Sequence, residues 1–205
     1  MFKSFKLMTP IVWLTRLLVG AYPHWQGCAP SSKQRIYFAN HTSHLDTIVI
    51  WASLPPQLRP FVRPVAAKDY WEKGLLRRRI ALDELNVVLV DRRRTEHSNP
   101  LDPLRQALQE GSSLIIFPEG TRYKGEEGGA GEFKAGAFRI AIKTGVPVVP
   151  VAISGARGLF EGHGLRATPG DIRVRILPAI QTAGMSKAEQ KQLPDAVRQT
   201  ILAQL

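Results

Sequence analysis

Residues 35–46 read Arg-Ile-Tyr-Phe-Ala-Asn-His-Thr-Ser-His-Leu-Asp, and the parsing of the whole chain turns on them. Arg35 to Ala39 is a short apolar run of β-forming residues, which reads as a strand. It passes directly into the polar cluster Asn40 to Asp46. From about Ser43 to Leu54 the pattern is that of a helix. A strand that ends in polar side chains and turns into a helix is the repeating unit of α/β folds, whose ligands bind at the carboxyl ends of the strands.

Working outward, the unit recurs. Phe61 to Ala67 is a strand candidate interrupted by Pro64, followed by a helical pattern from Tyr70 to about Leu82. Val87 to Val90 is a strand, and Pro100 to Glu110 a helix stopped by Gly111. Strand Leu114 to Phe117, helix Lys134 to Lys143, strands Val148 to Ile153 and Ile172 to Leu177, and helix Ser186 to Leu205 complete the series. The expected fold class is therefore α/β, one domain with a largely parallel or mixed central sheet flanked by helices. The 205 residues are 44% hydrophobic, enough for one substantial core, and no repeat or long linker divides them. Two irregular stretches, Tyr123 to Glu132 and Gly155 to Gly170, read either as lids over a site or as plain surface loops.

Residues 1–22 form an appendage to a domain at 23–205. Phe2 to Gly20 is largely apolar, but Pro10 and Arg16 interrupt it, and a membrane span needs roughly 20 predominantly apolar residues. Arg16 inside the apolar run, and the lack of a small-x-small cleavage site, argue against a signal peptide. Two readings remain: an amphipathic helix lying on a membrane surface, or an ordinary amphipathic helix packed on the domain.

The formal net charge is +11, from 28 Lys and Arg against 17 Asp and Glu. Such an excess suits a phospholipid surface, a phosphorylated substrate, an acidic carrier protein or nucleic acid, and is also met as a solvated basic face. Arg77-Arg78-Arg79 and Arg92-Arg93-Arg94 are the candidate nucleic-acid footprint. No helix-turn-helix, zinc-finger or RNA-binding aromatic motif accompanies them, so nucleic acid is not an expected partner. Cys28 is the single cysteine, which excludes an intramolecular disulfide. Its neighbours Gly27, Ala29 and Pro30 lack the setting of a nucleophile.

Three polar clusters follow three predicted strands: Asn40 to Asp46, Asp91 to Arg94, and Pro118-Glu119-Gly120-Thr121-Arg122. On a regular helix His41 and Asp46 would lie about 140° apart around the axis. With His41 in the turn and the helix starting near Ser43, Asp46 comes into the first turn and can reach the imidazole. A carboxylate there would hold one ring nitrogen protonated and leave the other as a general base toward a hydroxyl. Ser43-x-x-Asp46 also fits a capping box, so a purely structural Asp46 stays open. A metal site of His41, His44 and Asp46 matches no usual zinc spacing, and none is expected. There is no Gly-x-Ser-x-Gly elbow, so direct transfer by a His/Asp base is the simplest chemistry. Arg92 and Arg122 supply planar donors suited to phosphate, and Gly120 permits close backbone approach.

These residues, in this order, resemble the 1-acylglycerol-3-phosphate acyltransferase family over about residues 35 to 155. The His-x4-Asp block is His41 to Asp46, the second block Leu89-Val90-Asp91-Arg92, the third Phe117 to Arg122 with Phe133-Lys134-Ala135-Gly136 behind it, and the fourth Val146 to Val151. The resemblance implies a glycerolipid-acyltransferase-like fold with His41 as general base and Asp46 as its orienting partner. It assigns Arg92, Glu119, Gly120, Thr121, Arg122 and Lys134 to the acceptor. It further implies acyl-CoA or acyl-carrier-protein as donor, a lysophospholipid acceptor, no cofactor or metal, and a peripheral place on the cytoplasmic face of an anionic membrane. The leading reaction is lysophosphatidic acid to phosphatidic acid, with glycerol-3-phosphate or a lyso-aminolipid as the neighbouring acceptor. A non-catalytic lipid-binding domain is the reading from another class. Two departures stand out: Asn86 and Leu89 replace a common Gly and aromatic in the second block, and Tyr123 replaces a common Ser after the third.

Overall fold

The computed structural model describes residue 13 and residues 22–43, 45–71, 82, 85–91, 99–156 and 172–205. Its strands are β1 (Tyr22–Trp25), β2 (Ile36–Ala39), β3 (Val62–Ala67), β4 (Val88–Val90), β5 (Ser113–Ile116), β6 (Val148–Ser154) and β7 (Arg173–Ile176). The helices are α1 (Asp46–Ser53), the single turn α2 (Lys68–Trp71), α3 (Asp102–Gln109), α4 (Ala135–Thr144) and α5 (Lys187–Leu202). The strands form one sheet in the order β1-β7-β6-β2-β5-β3-β4. Every neighbouring pair is parallel except β6 with β7, so the sheet is mixed.

β2 is central, and all four of its residues are buried. A strand covered on both faces carries a continuous apolar run rather than an alternating one, which is why Ile36 to Ala39 shows no polar position. Successive side chains nonetheless point to opposite faces. Tyr37 and Ala39 join Ile115, Val149 and Val151 against Val49, Ile50 and Trp51 of α1. Ile36 and Phe38 join Leu114, Ile116 and Val148 against Leu104 of α3, Phe138 of α4 and Val197 of α5. One helix-covered core therefore lies on each side of the same four residues.

Local chemistry sets the ends of the helices. Gly111 takes φ +83 after α3, and the Gly111 and Ser112 amides donate to the Leu108 and Ala107 carbonyls, both at 3.0 Å. That is the paired bonding of a Schellman stop. Ser186 and Glu189 close a full capping box at the start of α5. Pro64 is tolerated in β3 because the ladder to β4 begins only at Val65. The sequence pattern gave no sign of β1. Its Tyr-Pro-His-Trp carries a proline and is half-exposed, as suits an edge strand held by β7 alone.

Most of the predicted Tyr70–Leu82 helix and of the Gly155–Gly170 stretch lies outside the described residues, as does nearly all of the 1–22 appendage. Among the described residues no helix is long and apolar enough to cross a membrane.

The Tyr123–Glu132 segment is fastened. The Tyr123 amide donates to the His41 carbonyl at 2.7 Å, and the ring sits between Gly125 and Gly129. A Cβ on Gly129 would lie 2.6 Å from Tyr123 Cε1. Gly129→Ala is expected to lower the thermal unfolding midpoint by several degrees, from about 1–3 kcal/mol of overpacking. Gly136→Ala, in α4 with nothing within 4 Å of the new methyl, should instead raise it slightly. Scanning calorimetry of the two variants checks the pair, and a midpoint for Gly129→Ala at or above wild type contradicts the packing.

Candidate active site

β2, β5, β3 and β4 run parallel and side by side, so their carboxyl ends open onto one rim of the sheet. Asn40, the first residue beyond β2, is 1% exposed. Its amide donates to the Ile153 carbonyl and accepts from the Ile153 N–H, both at 2.8 Å. The side chain thus continues the β2–β6 ladder by one rung while the backbone turns away into the polar cluster. Sequence reading placed Asn40 in the cluster without this role. An amide directly at a strand end, before a sharp turn, was the available sign.

His41 is held from four sides. Its N–H donates to Glu119 Oε1 at 2.8 Å, and its carbonyl accepts from Tyr123. The ring stacks on Phe117, with centroids 4.2 Å apart at 21°. Nδ1 lies 2.9 Å from Asp46 Oδ2. Asp46 is fully buried, and the same Oδ2 accepts from the Thr42 and Ser43 amides at 2.7 and 2.8 Å. An oxygen facing two N–H donors accepts from the ring as well, so Nδ1 carries a proton, and in the neutral imidazole the lone pair is on Nε2. Helix α1 begins at Asp46 with Leu45 as its uncapped N-cap residue, three residues later than the sequence pattern suggested. Ser43 makes only the reach-back half of a capping box: its amide is taken by Asp46, while its hydroxyl accepts from Leu45 at 3.3 Å.

His41 lines a cavity of about 600 Å³. Val65, Val90, Leu101, Leu104, Ile116 and Ala137 form its apolar lining, with Thr47 buried, and the exposed Asp69, Gly120, Thr121, Arg122 and Lys134 a polar mouth. Gly120 closes a tight turn at φ +69, its amide donating to the Phe117 carbonyl, and a Cβ there would lie 3.0 Å from Lys134 Nζ. Lys134 therefore stands over the Gly120 turn, and Arg122, two residues after Gly120, lines the same cavity. Neither has an ion-pair partner among the described residues. Glu119 belongs to the same loop but does not line the cavity. It is 4% exposed, and its second oxygen accepts from the Gly131 amide at 3.0 Å. Arg92, His44 and both arginine triplets fall outside the described residues.

Burial pushes the Glu119 carboxyl above its ordinary value of 4.5, against the His41 and Gly131 amides, which pull it down. A carboxyl raised in the folded state stabilises most at low pH, and that contribution is lost as pH rises through the raised value. The stability difference between wild type and Glu119→Gln is therefore expected to shrink as pH rises above 4.5. Urea unfolding across the acid to neutral range measures it, and a difference that grows with pH contradicts the assignment.

Cys28 is half-buried against the Ile176 and Leu177 carbonyls, burial raises its thiol, and it does not line the cavity. Among the described residues no group of three or more His, Cys, Asp or Glu is placed to hold a metal ion.

Residues 24–154, the span that builds this rim, match the family model described as Acyltransferase. The chain belongs to the acyltransferase family. Among named members, the human 1-acyl-sn-glycerol-3-phosphate acyltransferase alpha is 29% identical over 84% of this chain and 59% of its own length. The coconut (Cocos nucifera) 1-acyl-sn-glycerol-3-phosphate acyltransferase is 30% identical over 77% of this chain and 49% of its own. The chain thus spans 59% and 49% of the length of these two acyltransferases. The crystal structure of the 1-acyl-sn-glycerophosphate (LPA) acyltransferase PlsC from Thermotoga maritima superimposes with a TM-score of 0.73 at 25% identity, covering 98% of this chain and 77% of that one. The acyltransferase fold of this chain is therefore that of a single α/β domain with a mixed sheet.

Proposed function

We propose that this chain transfers a fatty acyl group from acyl-CoA or acyl-carrier-protein to the free hydroxyl of 1-acylglycerol-3-phosphate, giving phosphatidic acid. The observation that carries the reading is the His41–Asp46 pair opening on a cavity with a basic mouth and an apolar lining. The relatives bearing this activity in their names support the acceptor.

In the proposed reaction His41 Nε2 takes the proton from the acceptor hydroxyl as its oxygen attacks the thioester carbonyl. The new C–O bond forms, the C–S bond breaks, and the thiolate leaves with the proton carried by the imidazolium. Asp46 holds Nδ1–H and stabilises that transient cation. Arg122 and Lys134 receive the phosphate, with Gly120 and Thr121 shaping the turn beneath it and Arg92 as the further basic group. Glu119 serves the acceptor loop from behind by holding its geometry. The apolar lining takes an acyl chain. The +11 charge favours work at an anionic membrane surface, on its cytoplasmic face. No cofactor enters these steps.

Asp69 in the mouth favours a second acceptor, an amine-bearing lysolipid whose cation it would meet. The test is transfer of labelled acyl groups from both donors to a panel of acceptors presented in anionic vesicles. Preference for the phosphate monoester is expected. Preference for the amine-bearing lysolipid would replace the acceptor, and absence of transfer from either donor to any acceptor would sink the proposal.

A further inference from the structure

Arg198 lies on α5, away from the cavity lining, yet its guanidinium grips the loop behind the active site. Nε donates to the Gly131 carbonyl at 2.8 Å and Nη2 to the Ala130 carbonyl at 2.7 Å. The Ala130 carbonyl and the Gly131 N–H belong to one planar trans peptide and point in opposite directions. A group that fixes the carbonyl therefore aims the amide. That amide meets Glu119 Oε2 at 3.0 Å, and Glu119 Oε1 meets the His41 N–H at 2.8 Å. Both oxygens of a buried carboxylate are thereby committed to backbone donors. Gly131 suits the position because an added Cβ would lie 2.8 Å from Glu119 Oε2.

The geometry points to Arg198 as a positioning residue for His41, acting through the 130–131 peptide and Glu119. The inference rests on the reading of His41 as general base. It adds that the backbone of the base is anchored by the C-terminal helix, while Asp46 orients only the ring. Arginine is needed because its planar fork reaches two successive carbonyls, which a single ammonium cannot hold in fixed orientation. Glu119 belongs to the same relay rather than to the cavity wall, so its loss should act on turnover and not on acceptor affinity.

The experiment compares wild type with Arg198→Met, Arg198→Lys, Glu119→Gln and the Arg198→Met/Glu119→Gln double variant. Gln190→Ala serves as control; it removes a bond from the same helix to the Met185 carbonyl, outside the relay. Circular dichroism and the thermal midpoint establish folding, and Arg198→Lys carries the test if Arg198→Met does not fold. Loss of positioning should lower kcat on the order of tenfold to a hundredfold with KM for both substrates within about twofold. Gln190→Ala should match wild type. The double variant should be no worse than the poorer single one, because a relay already broken is not broken again. Wild-type kcat in folded Arg198 variants, a rise in KM instead of a fall in kcat, or losses that multiply would each overturn the inference. A second arm needs no turnover. Imidazole ¹⁵N spectra, with His41→Ala to assign the signal, should show one tautomer protonated at Nδ1 in wild type and a broadened or averaged signal in Arg198→Met. If wild type transfers no acyl group, the proposed function fails while these spectra still decide the relay; an unchanged His41 signal in the variant overturns it.

Discussion

His41→Ala should lower acyl transfer by roughly 10² to 10⁴-fold with its fold intact, the usual worth of a positioned general base. The fall should appear equally in kcat and kcat/KM, because the proton is taken only as the oxygen attacks, and ground-state binding does not depend on it. The fold survives because the backbone bonds of residue 41, to Glu119 and from Tyr123, do not involve the ring. The ring is partly exposed and borders space already open, so removing it adds to the cavity rather than creating a closed void. Its stacking on Phe117 is the main packing lost, worth about 0.5–1.5 kcal/mol. Steady-state kinetics alongside thermal unfolding check both halves. Activity equal to wild type in a folded His41→Ala variant would remove the base from the proposed mechanism.

The strands and helices were legible where hydrophobic pattern decides them. β2 to β7 and the three longer helices after α1 fall within a few residues of where apolar runs, Gly111 and Ser186 place them, since burial on one face or two is what produces those runs. β1 was not legible: four half-exposed residues with a proline carry no period, and β7 alone makes them a strand. The start of α1 was misplaced for a related reason. Asp46 reaches back to the Thr42 and Ser43 amides, keeping those residues out of the helix. The antiparallel β6–β7 pair is a tertiary choice that strand patterns do not record.

At the site, His41 and Asp46 could be paired from the sequence because five residues and one turn bring them together. Arg198 could not be connected to them, because its contacts are made only when α5 packs against the sheet. The Tyr123 departure became intelligible in the same way: the two glycines after it make room for its ring. Asn86, which stands where the family commonly has glycine, adopts φ +48. Asparagine is among the few residues that tolerate this left-handed conformation, so the substitution preserves the turn before β4.

Asp46 invites two substitutions with different outcomes, which separate the capping reading from the orienting one. Asp46→Ala removes the acceptor from three donors at once, the Thr42 and Ser43 amides and His41 Nδ1. Leaving a buried donor unpaired costs about 1–3 kcal/mol, so this variant should be markedly unstable as well as inactive. Asp46→Asn is nearly isosteric. The two backbone N–H groups select its carbonyl oxygen for the Oδ2 position, because an NH₂ there would face two donors. The ring can then still donate through Nδ1, while the NH₂ takes the place of Oδ1, which is buried without a hydrogen-bond partner among the described residues. One unpaired group in place of three should cost about 1–3 kcal/mol, less than in Asp46→Ala. What disappears is the negative charge beside an imidazole that must become a cation during proton transfer. In a hydrogen-bonded carboxylate–imidazole pair of this kind the loss is on the order of 10² to 10⁴ in kcat. Asp46→Asn is therefore expected to fold, to be more stable than Asp46→Ala, and to turn over orders of magnitude more slowly than wild type, measured by denaturant unfolding and single-turnover transfer on the same preparation. Should it transfer acyl groups at the wild-type rate, the carboxylate would be a cap for the turn at Thr42 and Ser43, and His41 would act without an orienting charge.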